Sequence, residues 1–179
     1  MSTVNCPLNM SHTNIEIKAH CANPKAIEAL LLAHNALFIG LDHQIDTYFN
    51  TPKGRLKLRE GSIENALIFY NRPNQAGPKQ SDIILYKTQP NTSLKALLTQ
   101  AHGILTVVDK RRKIFFIDNV KFHLDEVEGL GSFVEIEAID ENGDIGYEQL
   151  LKQCSFYIKL FNIQEPDLLT NSYSDMGNG

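Results

Sequence analysis

The chain has 179 residues, of which 42% are hydrophobic and 21% charged, and its formal net charge is −4. That length and apolar share suit one folded domain with a sizeable core. The acidic balance argues against a bulk nucleic-acid binder, leaving only a local basic cleft open, and no apolar run approaches the ~20 residues of a membrane-spanning helix.

Residues 1–13 are polar and lack the apolar core of a signal peptide. They read as a tail before a single domain over 14–176, and they favour the cytoplasm. Cys6, Cys21 and Cys154 are widely spaced and suggest neither a disulfide framework nor a zinc site. The histidines are scattered, with no pair at a metal-motif spacing.

Asn14 to Cys21, NIEIKAHC, alternates as a strand, with Asn14, Glu16, Lys18 and His20 on one face and Ile15, Ile17 and Ala19 on the other. Asn23 is placed to cap a helix that starts at Pro24. Ile27, Leu30, Leu31 and His34 follow at helical spacing, carrying it to about Asn35. A strand over Leu37 to Tyr48 leads into DTYFNTPKGRLKLRE at 46–60. There Arg55, Lys57 and Arg59 alternate with Leu56 and Leu58, which puts three cations on one face of a sheet. Pro52, Lys53 and Gly54 form the preceding turn.

After a polar connection at Glu60 to Asn65, Ala66 to Arg72 is a strand closed by Pro73. Residues 73–80 are a loop, and Ser81 to Thr88 a strand with Ile83, Leu85 and Lys87 on one face. Thr92 or Ser93 caps a helix through Leu94, Leu97 and Leu98, stopped by Gly103. Leu105 to Phe116 carries KRRK at 110–113, where alternation separates Lys110 and Arg112 from Arg111 and Lys113. Asp118-Asn119 turns into a strand at Val120 to Val127. Gly129-Leu130-Gly131 turns into Ser132 to Ile139, which shows Glu135 and Glu137 on one face and Val134 and Ile136 on the other. Asp140 to Gly146 is a loop. Leu150, Leu151, Cys154 and Ile158 mark a helix over Tyr147 to Phe161. The tail from Glu165 reads as loop, with Tyr173 as an anchor.

This order gives an α+β chain with a mainly antiparallel sheet of about eight strands, enough to close into a barrel with about three flanking helices. The charged rows stand opposite aliphatic faces that fit under amphipathic helices. In a closed lumen, unpaired ions cost several kcal/mol each even after relaxation. Such a lumen therefore calls for water, a polyanion and metal to balance its charge, and triphosphate with Mg²⁺ or Mn²⁺ meets that need. Alternation alone leaves the inward face undecided.

NIEIKA at 14–19, DTYFN…GRLKLRE at 46–60, HLDEVEGLGSFVEIEA at 123–138 and SYSDM at 172–176 resemble the CYTH superfamily. Its members are class IV adenylyl cyclases, thiamine triphosphatases and related triphosphate tunnel enzymes, and the class IV adenylyl cyclase-like proteins look most similar. The resemblance implies a closed antiparallel eight-stranded tunnel binding triphosphate and divalent metal inside. It assigns metal binding to Glu16, Glu135 and Glu137. Triphosphate binding falls to Lys18, Arg55, Lys57, Arg59, Arg72, Lys87, Lys110 and Arg112, and catalytic roles to Lys18, Arg59 and Asp125. Asp125 would hold a cation, position metal or act as a base. The first acid of the family's N-terminal signature falls on Asn14, a departure that puts a second metal in question.

The function implied is an adenylyl cyclase-like lyase converting ATP to cyclic AMP and pyrophosphate. The alternatives are a triphosphatase hydrolysing a terminal phosphate and a non-catalytic nucleotide or polyphosphate sensor. The implied partner is ATP or another triphosphate-containing small molecule, with no nucleic acid and no membrane, in a monomer or homodimer. Among residues left aside, His123 reads as a structural histidine. Glu126 and Glu128 read as surface acids, and Phe115 and Phe133 as core.

Overall fold

The computed structural model describes residues 10–176. Its eight strands close into an antiparallel barrel in the order β1-β5-β4-β3-β2-β6-β7-β8. The strands are β1 (Met10–His20), β2 (Leu37–Phe49), β3 (Arg55–Gly61), β4 (Asn65–Asn71), β5 (Lys79–Lys87), β6 (Ile104–Ile117), β7 (Val120–Val127) and β8 (Gly131–Asp140). The helices are α1 (Pro24–Ala33), α2 (Leu94–His102), α3 (Tyr147–Leu160) and the short α4 (Tyr173–Met176). The closed α+β barrel expected from the sequence is the observed one. No helix among the described residues is long and apolar enough to cross a membrane.

Pairing lengthens several elements beyond their clean alternation. β1 begins at Met10 because residues 10–13 pair with β5, Met10 opposite Leu85 and Thr13 opposite Asp82. Residues 10–13 of the expected tail are therefore strand, and 1–9 lie outside the described residues. β5 in turn starts at Lys79, opposite Glu16. The expected loop after Glu165 holds a 3-10 turn at Glu165–Asp167 and then α4.

The aliphatic rows do face the helices. Ile15, Ile17, Phe115, Phe122 and Ile136 pack with Leu31 of α1 and Leu150 and Cys154 of α3 in one buried cluster. Each large aliphatic side chain so covered contributes ~1.5–3 kcal/mol. The Asn23 side chain caps α1 by accepting the Ala26 N–H at 3.2 Å, with Pro24 in the first turn. α2 covers β2 and β3 through Leu98 on Phe49 and Leu58. With the outer face buried under helices, period-two alternation turns the charged rows into the barrel. One end of that interior is closed by an apolar cluster of Tyr48, Ile68, Tyr70, Val108, Val127, Phe133 and Tyr173, of which Tyr48, Ile68, Tyr70 and Tyr173 also face the remaining space. Phe133 is thus core inside the barrel, and Phe115 core outside it.

A cationic lumen as the candidate active site

The rest of the interior is a cavity of about 1020 Å³ lined by Glu16, Lys18, Lys57, Arg59, Arg72, Lys87, Lys110, Arg112, Lys121, His123, Glu135 and Glu137, with Ile68, Ile83 and Leu85 as an aliphatic wall. The charged rows of separate strands meet there because register brings them level. Lys18 and His123 both lie opposite Glu135, and Glu16 lies opposite Glu137.

Two buried carboxylates organise the cations. Asp46 on β2, 1% exposed, accepts from Lys57 at 2.9 Å, from Arg59 Nε and Nη2 at 2.9 and 3.0 Å, and from Lys110 at 2.6 Å. Burial opposes its ionisation, but those cations hold it well below the usual carboxylate range. Arg59 is correspondingly held above its ordinary value. Lys110 shares its carboxylate with two other cations, and burial lowers its ammonium to about 7. On β7, Asp125 takes Arg112 Nε and Nη2 in a fork at 2.7 and 2.6 Å and the Tyr173 hydroxyl at 2.8 Å. Asp125 therefore holds a cation, one of its three expected roles. With both oxygens engaged and its carboxyl lowered by Arg112 against the pull of burial, it is poorly suited to act as a base.

Lys18 reaches Glu135 at 2.8 Å and stands 3.2 Å over the Tyr173 ring. Tyr173 thus anchors the C-terminal segment, as expected, and also closes the lumen floor.

Three donors converge on one point. His123, Glu135 and Glu137 each offer a ligand atom, all within 4.8 Å of one another. His123 Nδ1 is 3.0 Å from Glu135 and 3.6 Å from Glu137, while its buried Nε2 has no partner among the described residues. Burial depresses His123 to about 3, so the imidazole is neutral and fit to ligate. Burial pushes Glu137 up to about 7, with Lys121 pulling the other way. A carboxylate desolvated in this way is stabilised by a cation. The donor set fits a divalent ion, with two hard carboxylates and one imidazole.

Of the expected metal residues, Glu135 and Glu137 come together, whereas the Glu16 carboxylate lies on Arg72. Arg72, at the end of the strand expected over Ala66 to Arg72, has a side chain only 4% exposed. Of the expected phosphate-binding cations, Lys57, Arg59, Arg72, Lys110 and Arg112 line the lumen with Lys18, and Lys87 stands exposed at its mouth. Arg55 is the exception. It is not among the residues that line the cavity: its guanidinium is bonded to Asp175 at 2.8 Å and Asn74 at 3.0 Å and ties the C-terminal segment to β3. In KRRK, Arg111 is exposed and Lys113 pairs outside with Glu28 at 2.6 Å.

Asp46, Glu64, Lys121 and the ligand-ready His123 were not assigned from sequence. The signal for Asp46 was present, since Asp42, Gln44 and Asp46 share one face of β2. Glu64 lies in a loop, where no periodicity marks it. Asn14 is fully buried, and neither polar atom of its side chain has a partner among the described residues.

The CYTH domain profile matches residues 12–173. Among solved structures, a Pyrococcus horikoshii protein superposes with a TM-score of 0.77 at 23% identity, covering 92% of this chain and 99% of its own. A candidate adenylate cyclase from Vibrio parahaemolyticus gives 0.74 at 16%, covering 93% and 98%. A candidate adenylyl cyclase from Hippeastrum with a dominant triphosphatase activity gives 0.58 at 14%, covering 92% and 93%. At these identities the likeness speaks to the fold. No curated protein matches the chain.

Proposed function

The chain belongs to the CYTH domain family, and from that premise we propose that it is a divalent-metal-dependent enzyme acting on a nucleoside triphosphate, in the manner of a class IV adenylyl cyclase. The observation that carries this reading is the enclosed row Lys57, Arg59, Arg72, Lys110 and Arg112 beside the His123–Glu135–Glu137 donor set, all lining one cavity. Phosphoryl chemistry asks a protein mainly for positioning and charge stabilisation, and guanidinium and ammonium groups held by buried carboxylates provide both. Asp46 and Asp125 hold Arg59 and Arg112 in place before substrate arrives, so little reorganisation is needed when charge shifts between phosphate oxygens. A divalent ion bound by His123, Glu135 and Glu137 would supply Lewis-acid polarisation of phosphate oxygens. Lys18, fixed between Glu135 and the Tyr173 ring, adds a fixed positive charge at the lumen floor.

The cavity of about 1020 Å³ and its wall of Ile68, Ile83 and Leu85 favour a substrate with an organic group over bare polyphosphate. In the cyclase reaction the ribose 3′-hydroxyl attacks the α-phosphorus and pyrophosphate leaves.

The test is a product assay with pure protein, ATP and Mg²⁺ or Mn²⁺. Cyclic AMP with pyrophosphate is the expected outcome. Orthophosphate with ADP would replace the cyclase by a triphosphatase, and tight binding without product would replace it by a sensor.

A further inference from the structure

We propose that Arg59, Lys121 and Gln44 form an oxyanion subsite at the lumen mouth, which the Glu64 carboxylate fills in the free protein and the terminal phosphate of a triphosphate takes in the complex. The inference rests on the triphosphate reading above and deepens it.

Glu64 is held as a bound anion would be. Its Oε2 accepts from Arg59 Nη1 at 2.9 Å and from Gln44 Nε2 at 3.1 Å, and its Oε1 accepts from Lys121 Nζ. Two of these donors are fixed independently of it. Arg59 keeps its fork on Asp46 through Nε and Nη2, and Gln44 Nε2 also donates to Asp42 at 2.7 Å. The donor set therefore persists when Glu64 leaves. Lys121 has no other ion-pair partner among the described residues, so its charge would then be free for a ligand.

Glu64 also differs from the other acids around the lumen. Asp46, Asp125, Glu135, Glu16 and Glu137 sit on strands, with side chains at most 20% exposed. Glu64 comes from the β3–β4 loop, with a side chain 26% exposed. The loop backbone is anchored without help from that side chain. The Asp42 carboxylate accepts the N–H groups of Ile63 and Glu64 at 2.7 and 3.0 Å and the Ser62 hydroxyl at 2.9 Å. A Cβ at Gly61 would come within 2.6 Å of the Glu64 carbonyl oxygen, so the turn closes only with glycine there. Rotation about the Glu64 side-chain bonds is thus enough to vacate the subsite, with no loop movement. A carboxylate and a phosphate offer the same oxygens to a guanidinium, an ammonium and an amide N–H, and the more highly charged phosphate is favoured in that exchange.

The test is calorimetric binding of inorganic tripolyphosphate in metal-free, chelator-treated buffer at low salt. Glu64→Gln removes the competing charge, and affinity should rise on the order of tenfold. Glu64→Asp, which shortens the reach with minimal disturbance of the loop, should bind more tightly than wild type by a smaller factor. It decides the matter if Glu64→Gln is unstable. Lys121→Met should weaken binding and abolish the gain from Glu64→Gln in the double variant. Glu64 variants binding no more tightly than wild type would overturn the inference while leaving the triphosphate reading intact, as would a gain that survives Lys121→Met. Absence of tripolyphosphate binding in wild type and every variant would refute both.

Discussion

Replacing Asp46 by Asn tests the electrostatic design of the lumen most directly. Asp46 is the shared counter-ion of Lys57, Arg59 and Lys110, and its side chain is 1% exposed. Breaking a buried pair by removing one partner costs roughly 3–5 kcal/mol, because the other charge is left uncompensated. The three cations do not suffer equally. Arg59 retains Glu64, and the Lys57 side chain is 12% exposed and can be solvated from the cavity. Lys110 is fully enclosed and has no other acidic partner among the described residues. Its ammonium is already lowered to about 7, so in the variant it can lose its proton near neutrality, which places the cost at the lower end, about 3 kcal/mol. For a chain of this length 1 kcal/mol shifts Tm by ~2–4 °C, so Tm should fall by roughly 6–12 °C at pH 7. Asp46 has a depressed folded-state pKa, so its stabilisation is present above the ordinary carboxylate range and lost as pH falls through the folded value. The gap between variant and wild type should accordingly narrow on acidification. Inorganic tripolyphosphate at about 100 times its Kd stabilises by ~2.7 kcal/mol. At equal ligand concentration it should raise the variant's Tm more than that of wild type, because the variant lacks a competing negative charge and binds it more tightly. Thermal unfolding with and without the ligand measures both effects. A Tm within about 2 °C of wild type, or an equal ligand shift, would refute the hub.

Two further outcomes follow from the same geometry. An ammonium with a lowered pKa is charged below that value and neutral above it, so metal-free tripolyphosphate affinity should fall by up to ~10-fold as pH rises from 6 to 8.5 and Lys110 passes through about 7. Lys110→Arg should flatten the titration, and an equally steep fall in that variant would place the cause elsewhere. Glu135→Ala and Glu137→Ala should both abolish metal-dependent turnover and weaken Mn²⁺ binding, with opposite consequences for the fold. Glu135 holds Lys18 and Arg112, so its loss should cost several kcal/mol, whereas among the described residues Glu137 meets no Lys or Arg within ion-pair distance, only the neutral His123 at 3.6 Å, and its variant should melt near wild type. Equal melting temperatures for the two would contradict this division of labour.

Much of the fold was legible because alternation is a local property. NIEIKA, GRLKLRE and FVEIEA each show which side chains share a face, and three amphipathic helices supply a cover for the aliphatic one. Element ends were less legible, as at Met10 and Lys79, because they depend on how far a partner strand runs. Family resemblance, not periodicity, directed the charged faces inward, and the cavity lining agrees with that direction.

Residue order and the period of the backbone already specify the central runs of the strands, their two faces and the charge each row carries. Which charge meets which is settled by barrel closure in three dimensions. Asp46 gathers Lys110 from 64 positions away, Glu64 meets Lys121 across 57, and Arg55 pairs with Asp175 across 120. Barrel closure and register set those distances, and the strength of an ion pair depends on separation and burial in space, which spacing along the chain does not contain.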